Sequence, residues 1–345
     1  MRNKNAECRN ASLYIHVPFC ARKCPYCDFY SLRCDGREQQ HEYIERCIEV
    51  LRATEGGRPY NTAYIGGGTP SVLQPELLTT LLHAIQCSGE FTIECNAASA
   101  TREFAQVIRA GGVNRVSMGL QSIIPSERKA LGRTAEFVLP ELGIENLSLD
   151  VMLGIPRQTL QSLQRTLEFC ARAGAKHMSA YLLKLEPGTP FAQNPPNLPC
   201  EDQQAELYLF ACDWLARHGY AQYEISNFAL PGYESQHNLN YWRCGEYHAI
   251  GPGAHGFTSG RRWHYLRDLQ AFLRGAPPTD DGEGGDEEER LMLALRLTEG
   301  IAQPTVDMRE RAKLMDDYVI CDEHGLRLTR AGMLLSNAVI GKLLA

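Results

Sequence analysis

Three cysteines fall within eight positions of one another near the start of this chain, in the stretch LYIHVPFCARKCPYCDFYS from Leu13 to Ser31. The alternating Leu13, Ile15 and Val17 predict a strand that ends at Pro18 and opens into the loop carrying Cys20, Cys24 and Cys27. Thiolates this closely spaced on one short loop make a ligand set for a compact inorganic centre, and they suit iron–sulfur clusters. A closed structural zinc site takes four protein ligands. Here Asp28 follows the third cysteine and neither cysteine nor histidine recurs before Cys34, so one metal corner is expected to stay open. The competing reading is a zinc knuckle or a set of unrelated buried thiols.

At 345 residues the chain is long enough for a large core with a smaller unit attached. An excess of 41 acidic over 35 basic residues, a net charge of −6, offers no general attraction to nucleic acid. The first ten residues lack the apolar core of a secretory signal, and no stretch reaches the roughly 20 apolar residues of a membrane span. A cytoplasmic location is therefore expected. There the 13 cysteines, an odd number spread along the chain, read as reduced thiols. Cys8, Cys34, Cys47, Cys87, Cys95, Cys170, Cys200, Cys212, Cys244 and Cys321 read as small hydrophobes or spectators.

Periodicity predicts strands at 13–17, 63–65, 91–94, 113–118, 147–152 and 176–183, with helices near 38–53, 75–85, 101–109, 159–173 and 205–218. Such alternation argues for α/β architecture with a parallel sheet wound as a barrel or partial barrel. In a parallel barrel the C-terminal strand ends share one mouth, and that mouth carries the chemistry. The strand ends converge accordingly: the cysteine loop, then Gly66-Gly67-Gly68-Thr69-Pro70, Glu94 and Asn96, Gln121, and Asp150. The glycine run removes side chains so that a ligand can reach the backbone; alone it would read as a tight strand-to-helix turn. Glu94, Gln121, Arg133 and Asp150 taken singly are ordinary loop residues, but as a set they can fix an ammonium, ribose hydroxyls and a carboxylate.

The C-x3-C-x2-C spacing with Phe29 after it resembles the signature of radical S-adenosylmethionine (SAM) proteins. Further runs sharpen the resemblance: Tyr14 to Cys20, Gly66 to Pro70, Met118 to Ser122, Leu131 to Arg133, Asp150 to Pro156 and Glu186 to Pro190. In this order they are similar to the branch containing oxygen-independent coproporphyrinogen III dehydrogenase and the HemW-type haem chaperones. The resemblance implies a [4Fe–4S] cluster on Cys20, Cys24 and Cys27, whose fourth iron takes SAM. It implies SAM contacts from Tyr14, Tyr26, Gly67, Gly68, Thr69, Glu94, Gln121, Arg133 and Asp150. The implied fold is a partial (β/α)6 barrel over 10–220, a covering segment over 221–274, an acidic linker over 275–289 and a mainly helical, winged-helix-like C-terminal domain over 290–345. That last unit reads better as a packing cap than as a nucleic-acid module, because acidic residues crowd its entry.

Within the branch, the dehydrogenase typically has a longer N-terminal segment and a further cysteine where this chain has Phe29. Both differences point to the chaperones, as does His237-Asn-Leu-Asn-Tyr241-Trp242, which is similar to an element associated there with haem. A histidine can ligate haem iron, and Tyr241 and Trp242 can supply flat apolar surface; equally, the three can pin a loop to the barrel. His16, His248 and His255 read as structural hydrogen bonders. Only 17 residues separate Gly132 from Asp150, with Pro140 and Gly143 between, so the fourth βα unit is expected to lack a full helix and leave one flank of the sheet exposed.

The expected function is haem delivery to an acceptor protein, with a flavodoxin- or ferredoxin-like reductant serving the cluster. The alternatives are SAM-dependent decarboxylation of a tetrapyrrole propionate and a non-catalytic iron–sulfur scaffold.

Overall fold

The structure, a computed structural model, describes residues 11–34, 36–54 and 59–345. The N-terminal ten residues, with Cys8 and the first residue of the expected barrel, lie outside the described residues.

Six strands follow the predicted order: β1 (Ser12–Val17), β2 (Tyr60–Gly67), β3 (Cys87–Cys95), β4 (Arg115–Gln121), β5 (Asn146–Leu153) and β6 (His177–Leu182). They pair in parallel in that order. Because strand side chains alternate between faces, Leu13, Ile15, Ala63, Ile65, Phe91, Ile93, Val116, Met118, Leu149 and Val151 share one side. They are buried in a single core with residues of the crossover helices: α1 (Arg37–Thr54), α2 (Pro75–Ala84), α3 (Arg102–Ala110), α5 (Leu160–Arg172) and α6 (Glu201–Arg217), with the six-residue α4 (Pro125–Ala130) between β4 and β5. Each Leu, Ile, Val, Met or Phe among them contributes about 1.5–3 kcal/mol when fully buried. The other face holds Tyr14, Thr62, Tyr64, Glu90, Thr92, Glu94, Arg115, Ser117, Ser148, Asp150 and His177, a polar barrel interior.

The chain beyond α6 extends the sheet at both edges. β7 (Ala221–Gln222) and β8 (Asn227–Ala229) run antiparallel beside β6, whereas β9 (Tyr247–Ile250) pairs in parallel with β1. From β9, the antiparallel β10 (His255–Thr258), β11 (Arg261–His264) and β12 (Thr279–Glu283) follow. The whole is a partial β/α barrel whose sheet order is β12-β11-β10-β9-β1-β2-β3-β4-β5-β6-β8-β7.

Two expectations need correction. The acidic run read as a linker contains edge strand β12, held to β11 by charge: Asp280 pairs with Arg261 and Asp281 with His264. Cross-strand ion pairs replace the apolar alternation by which strands are usually recognised. The shortened fourth unit does lack a full helix, yet its flank is covered, because Phe137, Leu139, Leu142 and Ile144 pack against the core from an extended segment. Phe137 meets Phe169 of α5 edge-on at 5.8 Å between ring centroids.

The C-terminal region is largely helical: Glu287–Ala294, Val306–Ala312, a hairpin of β13 (Val319–Asp322) and β14 (Gly325–Leu328), then Arg330–Leu334 and Ser336–Leu344. The last two helices are separated at Leu335, where ψ turns to 23°. Met308, Val319, Leu326, Val339, Ile340 and Leu343 join the main core, and Arg330 pairs with Asp213 of α6. Among the described residues, no helix is long and apolar enough to cross a membrane.

Helix α7 (Gln236–Trp242) is tied to β3 by one carboxylate. Glu90 accepts from Ser235 Oγ at 3.1 Å and from the backbone N–H groups of Gln236 and His237 at 3.0 and 3.1 Å. Glu90→Gln should lower unfolding stability by about 1.5–3 kcal/mol, as expected for hydrogen bonds to a charged group, with iron content unchanged. Denaturant unfolding checks this, and unaltered stability would mean that α7 is held by other contacts.

Candidate functional site

The cysteine loop leaves β1 at Val17 and is braced by the glycine run. Gly68 N donates to Val17 O and Thr69 N to Phe19 O, both at 2.7 Å. A Cβ on Gly68 would stand 2.5 Å from Phe19 O, and one on Gly67, at φ +102°, 2.6 Å from the His16 ring. The first need for these glycines is thus close approach of the chain to its own cysteine loop. From the other side Phe191 N donates to Pro25 O at 3.0 Å, while Thr189 caps the short helix that carries Phe191.

Cys20, Cys24 and Cys27 are each partly exposed to one cavity of about 150 Å³. The same cavity is lined by Tyr26, Gly67, Gly68, Thr69, Glu94, Gln121, Arg133 and Asp150. Cys20 Sγ lies 3.4 Å from Thr69 Oγ1. Cys34 faces elsewhere, with Gln40 Nε2 donating to its sulfur at 2.9 Å.

The strand-end residues are held by the polar interior. Glu94 accepts from Tyr64 OH at 2.7 Å and from Gly67 N at 3.1 Å. Burial outweighs these bonds and raises its carboxyl to about 7. Burial likewise raises Asp150 to about 6, against hydrogen bonds from Ser179 and Ser117 and the Arg115 charge. A bulge at the end of β4 turns Gln121 to φ +69°, where its Oε1 accepts from Tyr181 OH at 3.0 Å. Backbone strain of this kind is concentrated at functional sites. Arg133 donates from Nη1 to Gly119 O at 2.9 Å and from Nε to Tyr26 OH at 3.1 Å. The absence of a helix after α4 therefore leaves Arg133 in the site.

Tyr14 is not brought there. It lines a separate cavity of about 300 Å³ with Tyr30, Tyr241 and His255, and its hydroxyl meets His16 Nδ1 at 3.0 Å. His237 is 1% exposed and engaged at both nitrogens, by Thr62 Oγ1 and Tyr241 OH, each at 2.7 Å. Thr62 donates to Ser12 at 2.8 Å, so its oxygen accepts from His237 Nδ1–H and leaves Nε2 to accept from Tyr241. Burial, reinforced by the Arg115 charge, lowers His237 to about 3, which keeps it neutral. Of the two readings of this histidine, the geometry matches the pin between α7 and the barrel, with both ring nitrogens engaged within the protein. Trp242 does line a cavity, of about 620 Å³, which shares Tyr26, Cys27, Glu94 and Asp150 with the cysteine cavity. His16 bonds to Tyr30 O at 2.8 Å as expected, but the exposed imidazole of His255 has no hydrogen-bond partner among the described residues.

Sequence reasoning missed Tyr64, Ser117, Ser179 and Tyr181, which orient the strand-end residues. Their signal was the period-two alternation, which places each on the interior face. The donor set fits an iron–sulfur cluster with one protein-free corner: three thiols on one loop, with carboxylates and backbone opposite, while the other cysteine of the cavity wall, Cys95 on β3, is buried in the hydrophobic core.

A model of the Radical SAM superfamily matches residues 14–170. Relatives described as "Heme chaperone HemW" align over most of both chains. The protein of Lactococcus lactis subsp. lactis (strain IL1403) is 36% identical, covering 84% of this chain and 82% of its own. That of Escherichia coli (strain K12) is 36% identical over 89% and 88%, and that of Mycobacterium tuberculosis (strain ATCC 25618 / H37Rv) 34% over 96% and 94%. Among solved structures, coproporphyrinogen III oxidase (HemN) from Escherichia coli, described as a radical SAM enzyme, superposes with a TM-score of 0.81 at 19% identity. That match covers 97% of this chain and 90% of the other, and it shows a shared fold. Membership of the superfamily implies a site for a [4Fe–4S] cluster and SAM. By its cysteine loop, its barrel and these full-length similarities, the chain belongs to the radical SAM superfamily, within the family of the HemW-type proteins.

Proposed function

We propose that this protein binds haem and passes it to acceptor proteins, using a [4Fe–4S] cluster on Cys20, Cys24 and Cys27 and SAM bound beside it. The observation that carries the reading is the similarity to the haem chaperones along nearly the whole chain. Phe29, 63% exposed on the cysteine loop, supports it, since a further cysteine at that position would resemble the dehydrogenase. Tyr26, Gly67, Gly68, Thr69, Glu94, Gln121, Arg133 and Asp150 are the proposed SAM contacts. Glu94 and Asp150 suit an ammonium or ribose hydroxyls, and Arg133 a carboxylate. When bound, such a cluster supplies one electron to SAM; the reductant proposed for it is a flavodoxin or ferredoxin. The chain's own contribution is to orient the cofactor and exclude water. Coproporphyrinogen dehydrogenation is the second reading, favoured by the cavity of about 620 Å³ that adjoins the cysteines.

Anaerobic reconstitution should load about four irons per chain. Substituting Cys20, Cys24 or Cys27 by alanine should abolish this, while Cys34→Ala, whose sulfur bonds to Gln40, should not. Iron loss from Cys34→Ala equal to that from Cys20→Ala would refute the three-ligand assignment.

Glu94→Gln, Gln121→Ala and Asp150→Asn should each weaken SAM binding by roughly tenfold with iron retained. In the native protein SAM affinity should rise as pH passes from about 6 to about 7, where the two raised carboxyls ionise. The sign for stability is opposite. A folded-state value above the ordinary 4.5 means that the SAM-free fold loses stability as pH climbs from 4.5 through about 7, and Glu94→Gln should flatten that loss. Calorimetry and thermal melts across this range check both signs.

Haem should bind without conversion of coproporphyrinogen. His237→Ala should lower thermal stability and leave the bound-haem spectrum unchanged, because its ring nitrogens serve Thr62 and Tyr241. Protoporphyrinogen formed with SAM turnover would establish the dehydrogenase reading instead.

A further inference from the structure

We propose that His255, His264 and Asp281 form a binding site for a divalent first-row metal ion such as zinc, apart from the cysteine loop. The three come from adjacent strands β10, β11 and β12. One candidate ligand atom from each lies within 4.8 Å of the other two, a spacing that a single ion can draw together. His255 and His264 stand directly opposite in the β10–β11 ladder, with rings 5.1 Å apart and 25° from parallel.

Asp281 reaches them through an irregularity in the backbone. Along β11 and β12, Trp263 pairs with Asp280 and Arg262 with Gly282, so Asp281 is the extra residue of a β-bulge. Bulges re-aim a side chain at the cost of one ladder position. Here the carboxylate oxygens lie 2.8 and 2.9 Å from His264 Nδ1. A bare His–Asp hydrogen bond would account for those two residues but not for His255, an imidazole held alongside with no hydrogen-bond partner among the described residues.

The donors define the ligand. Two imidazole nitrogens and one carboxylate oxygen suit zinc or cobalt rather than calcium or magnesium, and three protein ligands leave a coordination position for water. Room exists for it, since His255 also borders the cavity of about 300 Å³ lined by Tyr14, Tyr30 and Tyr241. Nearby cations are neutralised by partners of their own: Arg262 by Glu289 and Arg267 by Asp28. Where the ion coordinates through His264 Nδ1, that nitrogen carries no proton and the ring takes its Nε2–H tautomer, so the ion takes the place of the hydrogen between His264 and Asp281.

The test is a cobalt(II) titration of tag-free protein already carrying its cluster, followed by displacement with zinc. About one equivalent should bind with visible bands of a nitrogen/oxygen site and no sulfur-to-cobalt charge transfer. His255→Gln, His264→Gln and Asp281→Asn should each weaken binding by roughly tenfold or more, with circular dichroism and cluster absorption retained as the check on folding. Failure of the native protein to bind cobalt saturably would overturn the proposal. So would a thiolate charge-transfer spectrum, or an affinity in all three variants equal to that of the native protein; none of these results bears on haem binding.

Discussion

Strand alternation in the barrel is the constraint from which the rest of the structure follows. One face of each strand is spent on Leu13, Ile15, Ile65, Ile93, Val116, Leu149 and Val151, which bind the crossover helices into the core. The period of two then commits the intervening positions to the barrel interior, and there the chain has placed Glu90, Glu94, Arg115, Asp150 and His177. Such groups are expensive to bury unless paired. They are tolerated as a set, with Arg115 among the carboxylates and 3.9 Å from Glu90. The interior is thus a polar scaffold whose upper rim carries the site.

The same constraint explains why the site is raised in proton affinity and locally strained. Carboxylates enclosed by the barrel cannot be fully solvated, so burial moves Glu94 and Asp150 toward neutrality despite their hydrogen bonds. At the strand ends the ladder must give way to loops. Gly67 with positive φ and the bulge before Gln121 make that transition while keeping the cysteine loop within 2.7 Å hydrogen bonds of the backbone.

Where chemistry and periodicity coincide, the sequence was legible. The three cysteines, the glycine run and the residues at strand ends line one cavity because a parallel sheet brings its strand ends together whatever its loops do. Tyr14, on the same interior face, lines a cavity with His16, Tyr30 and Tyr241. His237 was legible as a motif but not in role, since only the fold reveals Thr62 and Tyr241 at its two nitrogens. Strand β12, reading TDDGE, carries no hydrophobic pattern at all. Its pairing rests on charges supplied by β11, which no local reading of the segment contains.

The central claim is that three thiols hold a cluster with one corner open toward the carboxylate-lined cavity. Mössbauer spectra of iron-57-reconstituted protein, recorded with and without SAM, test it most directly. The account predicts that SAM perturbs one iron site of the cluster and leaves the cysteine-bound sites unchanged. A spectrum indifferent to SAM, with every iron equivalent and fully ligated by protein, would contradict it.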